Sequence, residues 1–150
     1  MIVNGRTLYA KQPIVGMIDT KHRAHGVSYG LTEAGYDLRI AEAVTLHPFK
    51  RFSLAYASEP FAMPTDLVGV VHDKSTWARR GLSVFNTVIE PGWHGFLTLE
   101  LVYNGWWPLR IPAGAGIAQV LFHQTTEGAA YGGKYQHQPA RPVAAIMERG

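Results

Sequence analysis

Glycine and proline punctuate this chain so often that long helices have little room: sixteen Gly and nine Pro fall among 150 residues. Between them lie short runs of β-forming or alternating residues: "YDLRI", "RFSLAYA", "DLVGVV", "LSVFN", "FLTLELVY" and "GIAQVLF". Short strands separated by turn residues predict an all-β barrel or sandwich. "EPGWHG" and "IPAGAG" supply two of the turns. One short helix is expected in "KSTWARRG", with Ser75 or Thr76 as N-cap and Gly81 as the stop. The length suits a single domain over residues 1–150. Near the C-terminus, "EGAAYGGKYQHQPARP" has no apolar periodicity. It reads either as a frayed tail or as a segment whose Tyr, Lys and Gln order over a ligand.

Composition narrows the partners. Hydrophobic residues make up 47% and charged ones 17%, the balance of a globular chain rather than a disordered one. No apolar run approaches the length that spans a membrane, and the start lacks the pattern of a secretory signal. The absence of cysteine fits a reducing, cytoplasmic setting and removes every zinc site that needs thiolate ligands. Seven His are spread without the spacing of a metal motif. A net charge of +3 suits an anionic ligand. The basic residues are scattered along the chain, so a small phosphorylated molecule is expected as partner, with no nucleic acid and no membrane. "GAGIAQ" leads into a strand, unlike a dinucleotide-binding turn, which opens a helix.

Two stretches have the residue types for chemistry. In "GFLTLELVYNG", an extended strand puts Leu97, Leu99, Leu101 and Tyr103 on one face, which belongs in the core. Phe96, Thr98, Glu100, Val102 and Asn104 share the other face. Periodicity leaves two readings for Glu100: a solvated carboxylate on the wet side of a sheet, or a general base in a pocket wall. In "KSTWARRG", Lys74 and the Ser75 and Thr76 hydroxyls lie beside the first N–H groups of a short helix, where an anion is favoured. Ser75 and Arg79 share one face of it. An ordinary capped turn with solvated arginines explains the same pattern. Asp37 and Arg39 lie on one strand face and read as a structural ion pair.

The order of the segments carries a resemblance. "AGYDLRI", "MPTDLVGVVHDKSTWARRGL", "VIEPGWHGFLTLELVYNG", "IPAGAGIAQVLF" and "GGKYQHQ", spanning roughly residues 28 to 138, together resemble the dCTP deaminase and dUTPase superfamily. The resemblance implies a distorted β-barrel of jelly-roll type and a homotrimer with active sites at subunit interfaces. It also implies a C-terminal arm, about residues 125–150, closing over bound nucleotide. Glu100 sits where deaminases of the superfamily have a Glu and pure dUTPases generally have an uncharged residue.

The implied reaction is hydrolytic deamination of dCTP to dUTP and ammonia without zinc. Glu100 would be the base that activates water, and Ser75 and Arg79 would hold the water and orient the Glu. Lys74, Ser75, Thr76, Lys134 and Gln138 would grip the triphosphate, with Mg²⁺ held by the phosphates rather than by protein ligands. Val88, Ile89 and Glu90 would meet sugar and base, and Tyr131 and Tyr135 belong to the same nucleotide site. Lys74 replaces a more usual Arg, Glu90 replaces a more usual Asp, and the Asn86–Ile89 segment is shorter than in the family. The alternatives are a dUTP diphosphatase, a bifunctional deaminase and diphosphatase, and a catalytically silent trimer that binds nucleotide or a partner. Besides dCTP, dUTP or dTTP is a possible ligand.

Overall fold

In the computed structural model, which describes residues 1–149, these runs resolve into fourteen elements. In chain order they are β1 (Ile2–Val3), α1 (Gly5–Lys11), β2 (Lys21–Ala24), β3 (Val27–Leu31), β4 (Tyr36–Arg39), β5 (Val44–Leu46) and β6 (Phe52–Ala62). Then come β7 (Leu67–Asp73), α2 (Ser75–Ala78), β8 (Leu82–Val84), β9 (Val88–Ile89), β10 (His94–Tyr103), β11 (Leu109–Ile111) and β12 (Gly116–Gln124). One sheet runs β2-β3-β4-β12-β7-β9, with β1 added against β12. A second runs β6-β10-β8, and β5 pairs with β11 as a third. Every strand pair is antiparallel. The chain is therefore all-β, as the turn spacing predicts.

One core joins the sheets. Leu38, Ile117 and Val120 meet it from the first, Phe61, Leu99 and Leu101 from the second, and Leu46 and Ile111 from the third. β6 links two sheets by changing partners. It pairs with β10 on both sides of an irregularity between Phe96 and Thr98, and there Ala57 bridges to Ile40 beside β4. A bulge of this kind bends a strand and re-aims its side chains. Here it turns Glu59, 3% exposed, toward β4, where it accepts from the Arg39 backbone N–H at 3.0 Å and from Arg39 Nε at 2.7 Å.

Three local expectations change. Asp37 and Arg39 do not pair with each other; Asp37 takes Lys74 and Arg39 takes Glu59, because each faces a different neighbouring element. The helix in "KSTWARRG" has Lys74, in extended conformation, as its N-cap, and no side chain caps it. Its position is set by Trp77, which is buried and donates from Nε1 to the Gly116 carbonyl at 2.6 Å. Gly81, at φ +90°, follows the helix as the sequence predicts. The helix α1 was not expected. It buries only Leu8, and the Asn4 side chain donates to the Glu33 carbonyl instead of capping the helix, so neither periodicity nor a cap announces it.

Candidate active site

The face of β10 that periodicity left undecided is a pocket wall. Leu97, Leu99, Leu101 and Tyr103 are buried in the core, while Thr98 is 6% exposed and Glu100 half-buried on the opposite side. Directly across from Glu100 in the register stands Leu54, and across from Val102 stands Phe52. Leu54 and Phe52 form one wall of a cavity of about 590 Å³. Val88, Ile89 and Glu90 from β9 and the following turn form a second, and Trp93 and Leu97 also belong to the lining. The lining is mostly apolar, and its charged members are two carboxylates, Glu90 and Glu100.

Glu100 is held in place by the segment before β9. The Phe85 N–H donates to the Glu100 carbonyl at 3.0 Å, which lays residues 85–87 along β10. From there the Thr87 hydroxyl donates to Glu100 Oε2 at 2.9 Å. A hydrogen bond to a charged acceptor contributes roughly 1.5–3 kcal/mol, enough to select one rotamer of the carboxylate. Among the described residues no group is bonded to Oε1, the second oxygen.

The C-terminal segment is ordered against this wall, so the frayed-tail reading fails. Its backbone runs parallel to the start of β10, with the Phe96 N–H donating to the Gln138 carbonyl at 3.0 Å and the His137 N–H to the His94 carbonyl at 2.8 Å. Gly95 makes the approach possible: at φ +139°, a Cβ there would lie 2.5 Å from the Gln138 nitrogen. Trp93 Nε1 donates to the Tyr135 carbonyl at 2.6 Å, and the Gln136 amide donates to the carbonyls of Gly92 and Tyr131. Farther along, the Val143 N–H donates to the Thr98 hydroxyl at 3.0 Å, and Val143, Ala144 and Ala145 form part of the cavity lining. These contacts, and not apolar periodicity, order the tail.

The predicted residues divide between two places. Glu100, Val88, Ile89, Glu90, Tyr131, Tyr135 and Gln138 all line the cavity. Lys74, Ser75 and Thr76 line a separate, polar cleft of about 300 Å³, together with Asp37, Asp73 and Gln119. There Lys74 is drawn inward, in an ion pair with Asp37 and a hydrogen bond to Ser28 at 2.9 Å. Arg79 is exposed beyond the end of α2 and belongs to neither lining. Lys134 is exposed, 3.7 Å from Glu148, with its ammonium over the Tyr135 ring. Within one chain, the Ser75–Arg79 pair is therefore not brought to Glu100.

Sequence reasoning missed Thr87 and Trp93, and it saw Thr98 without its partners. Thr98 was visible on the Glu100 face, but its bonds to Val143 N–H and the Gln138 amide need the folded tail. Thr87 lies in an irregular segment with no period, and Trp93 passes for a turn residue. Among the described residues, no group of three His, Asp or Glu converges as a metal site, and Asp37 and Asp73 in the polar cleft are already engaged by Lys74 and the Val84 N–H.

Comparison with known proteins places this architecture. Residues 36–125 match the family model described as dCTP deaminase-like. A dCTP deaminase of Campylobacter hominis is 35% identical over an alignment covering 81% of this chain and 82% of that protein. One from Francisella philomiragia is 34% identical, covering 82% and 83%. Among solved structures, the dUTPase from phage phi11 of S. aureus superposes with a TM-score of 0.58 at 18% identity, over 77% of this chain and 88% of that one. The EIAV dUTPase gives 0.57 at 19%, over 81% and 90%. Identities so low speak to the fold, which is dUTPase-like. The sequence relationships go further: the chain belongs to the dCTP deaminase-like family.

Proposed function

We propose that this protein deaminates dCTP to dUTP and ammonia, with Glu100 as the general base. The observation that carries the reading is Glu100 itself, a carboxylate with one oxygen anchored by Thr87 in the wall of a mostly apolar cavity. Such a group is positioned to take a proton from water while the water oxygen attacks C4 of a cytosine ring. The proton passes to N3, giving a tetrahedral carbon that bears both the new hydroxyl and the amino group. Glu100 then carries the hydroxyl proton to the amino nitrogen; ammonia leaves and C4 becomes a carbonyl. Val88, Ile89 and the Glu90 turn would bracket base and sugar, with Tyr131, Tyr135 and Gln138 closing the other side.

The cavity lining has two carboxylates and no Lys or Arg, so it cannot by itself hold a triphosphate. Hydroxyls and arginines that could meet phosphate lie around α2 of the same chain, outside this lining: Ser75 and Thr76 in the polar cleft, and Arg79 and Arg80 exposed at the end of α2. A ring of copies resolves this: in a homotrimer with sites at subunit interfaces, one copy would supply Glu100 and its neighbour Ser75, Thr76 and Arg79. Ser75 and Arg79 would then hold the water and orient Glu100, and Ser75 and Thr76 would bind phosphate oxygens. Lys134, on the tail, would add a further cation. Mg²⁺ would arrive on the triphosphate and offset its charge, which asks no cation site of the protein.

Glu90 lines the same cavity, at its mouth, and this favours a second reading in which dUTP is hydrolysed as well. Incubation with dCTP and Mg²⁺, followed by separation of nucleotides, tests both. The proposal expects dUTP and ammonia from the wild type. In Glu100→Gln the turnover should fall by about 10²–10⁴-fold, the range of a lost general base, with dCTP binding retained. Surviving dCTP alongside hydrolysed dUTP would overturn the deaminase reading; dUMP and pyrophosphate from dCTP without free dUTP would establish the bifunctional one.

A further inference from the structure

The far end of β10 leads to a surface outside the cavity lining, where the Asn104 N–H donates to the Gly81 carbonyl at 2.8 Å after α2. Two connections run side by side there: residues 47–51 from β5 to β6, and residues 104–108 from β10 to β11. Leu46 pairs with Leu109 at one end of them, and at the other the Tyr103 N–H donates to the Arg51 carbonyl at 2.8 Å. The Tyr103 hydroxyl braces the second loop by donating to the Trp107 carbonyl at 2.6 Å. Gly105 leaves room for that phenol, since a Cβ would fall 2.0 Å from its oxygen.

This braced pair displays three large aromatic rings to solvent: Phe49 is 98% exposed, Trp106 89% and Trp107 81%. Exposing two adjacent tryptophans leaves much apolar area in water, so a partner that covers them gains a large contact. The charges around them have one sign. Lys50, Arg51 and Arg110 are exposed on the same two connections and the adjoining strand, and no Asp or Glu occurs from Ala43 to Ser58 or from Leu101 to Thr126.

We propose that this loop pair binds single-stranded nucleic acid, with bases stacking on Trp106, Trp107 and Phe49 and phosphates meeting Lys50, Arg51 and Arg110. Flat rings beside cations suit a strand of alternating base and phosphate. A lipid surface fits less well, because the two loops, "HPFKR" and "NGWWP", contain no Leu, Ile, Val or Met to enter the acyl region. The same face of a second copy would oppose like charges. The scattered bases of the sequence hid this surface; the β5–β11 pairing gathers them.

The test is fluorescence anisotropy of a labelled oligothymidylate with the full-length protein in its native assembly, together with tryptophan emission. Binding at low salt should quench tryptophan emission, since Trp77 and Trp93 are buried and the exposed pair dominates access. The slope of log K against log salt should be about −2, from three phosphate contacts at roughly 0.7 each for single strands. Trp106→Ala and Trp107→Ala should each weaken binding about fivefold or more while leaving dCTP turnover unchanged. Lys50→Gln with Arg110→Gln should flatten the salt slope by about 1.4. The proposal is overturned by no anisotropy change at low salt, by binding that survives the double tryptophan variant, or by capture of phosphatidylserine vesicles in place of the oligonucleotide. It is equally overturned if iodide fails to quench Trp106 and Trp107 in the assembled protein, which would make this face a contact between copies.

Discussion

The cavity around Glu100 and the cleft beside α2 are built in opposite ways. The cavity is large and mostly apolar, and its one anchored carboxylate is fixed by a hydroxyl from a neighbouring segment. The cleft is small and polar, and its Lys74 side chain is 10% exposed in a pair with Asp37, 4% exposed. One place has a carboxylate among apolar walls without a cation; the other has hydroxyls and two lysines paired with carboxylates, without an apolar wall for a ring. The difference teaches that segments neighbouring one another in a series of motifs, such as Ser75–Arg79 and Glu100, are set in different places by the fold of one chain.

The contrast is most sharply broken at Lys74. If its ammonium belongs to the Asp37 pair, Lys74→Met leaves a buried carboxylate without its counter-charge, a loss of about 3–5 kcal/mol in urea unfolding. The corresponding change in dCTP affinity should be small next to it. Unchanged stability with a weaker affinity for dCTP would instead make Lys74 a phosphate ligand and the cleft a site in its own right.

Thr87→Val probes the other region. It removes the hydroxyl that holds Glu100 and keeps the shape, so kcat should fall about tenfold or more with little change in KM or in melting temperature. An equal loss in the Glu100→Gln background would show that Thr87 acts elsewhere, because a positioning residue has nothing left to position there.

How much of this could be read beforehand depends on what kind of signal each residue leaves. Leu97, Leu99 and Leu101 alternate with polar or larger residues and marked β10 directly. "YDLRI", "DLVGVV" and "GIAQVLF" likewise became β4, β7 and β12. The edge strand β2 and its neighbour β3, reading "KHRA" and "VSYGL", are short; β2 is mostly exposed and β3 has no simple alternation of burial, so they have no clear period. The place of Glu100 in a pocket wall was legible through the ordered motifs around it. Thr87 and the tail were not, because their placement rests on single long-range hydrogen bonds such as Thr87 to Glu100 and Trp93 to Tyr135, which no local pattern encodes.

The smallest expected effect lies outside both regions and serves as a control. The Lys11 ammonium, 2.5 Å from Asp66, and then the Gln124 amide hold that carboxyl below its ordinary pKa. A lowered folded pKa means stabilisation that is complete above the ordinary carboxylate range and is lost as pH falls through the folded value. The stability difference between wild type and Asp66→Asn should therefore shrink on acidification, with dCTP turnover the same in both at neutral pH. A difference that grows toward low pH would reverse the sign assigned to this pair.

The central claim, that the Glu100 half and the Arg79 half of one site come from different copies, is tested most directly by mixing two dead variants. Glu100→Gln and Arg79→Ala should each lack deaminase activity. When the two are unfolded and refolded together, random assembly joins an intact Glu100 to an intact neighbouring Arg79 at about one site in four, the product of two even chances in a closed ring. The account predicts dCTP turnover near a quarter of the wild-type level in the refolded mixture. A mixture as inactive as its two components would contradict it, and would return Glu100 and Arg79 to a single chain or remove one of them from the reaction.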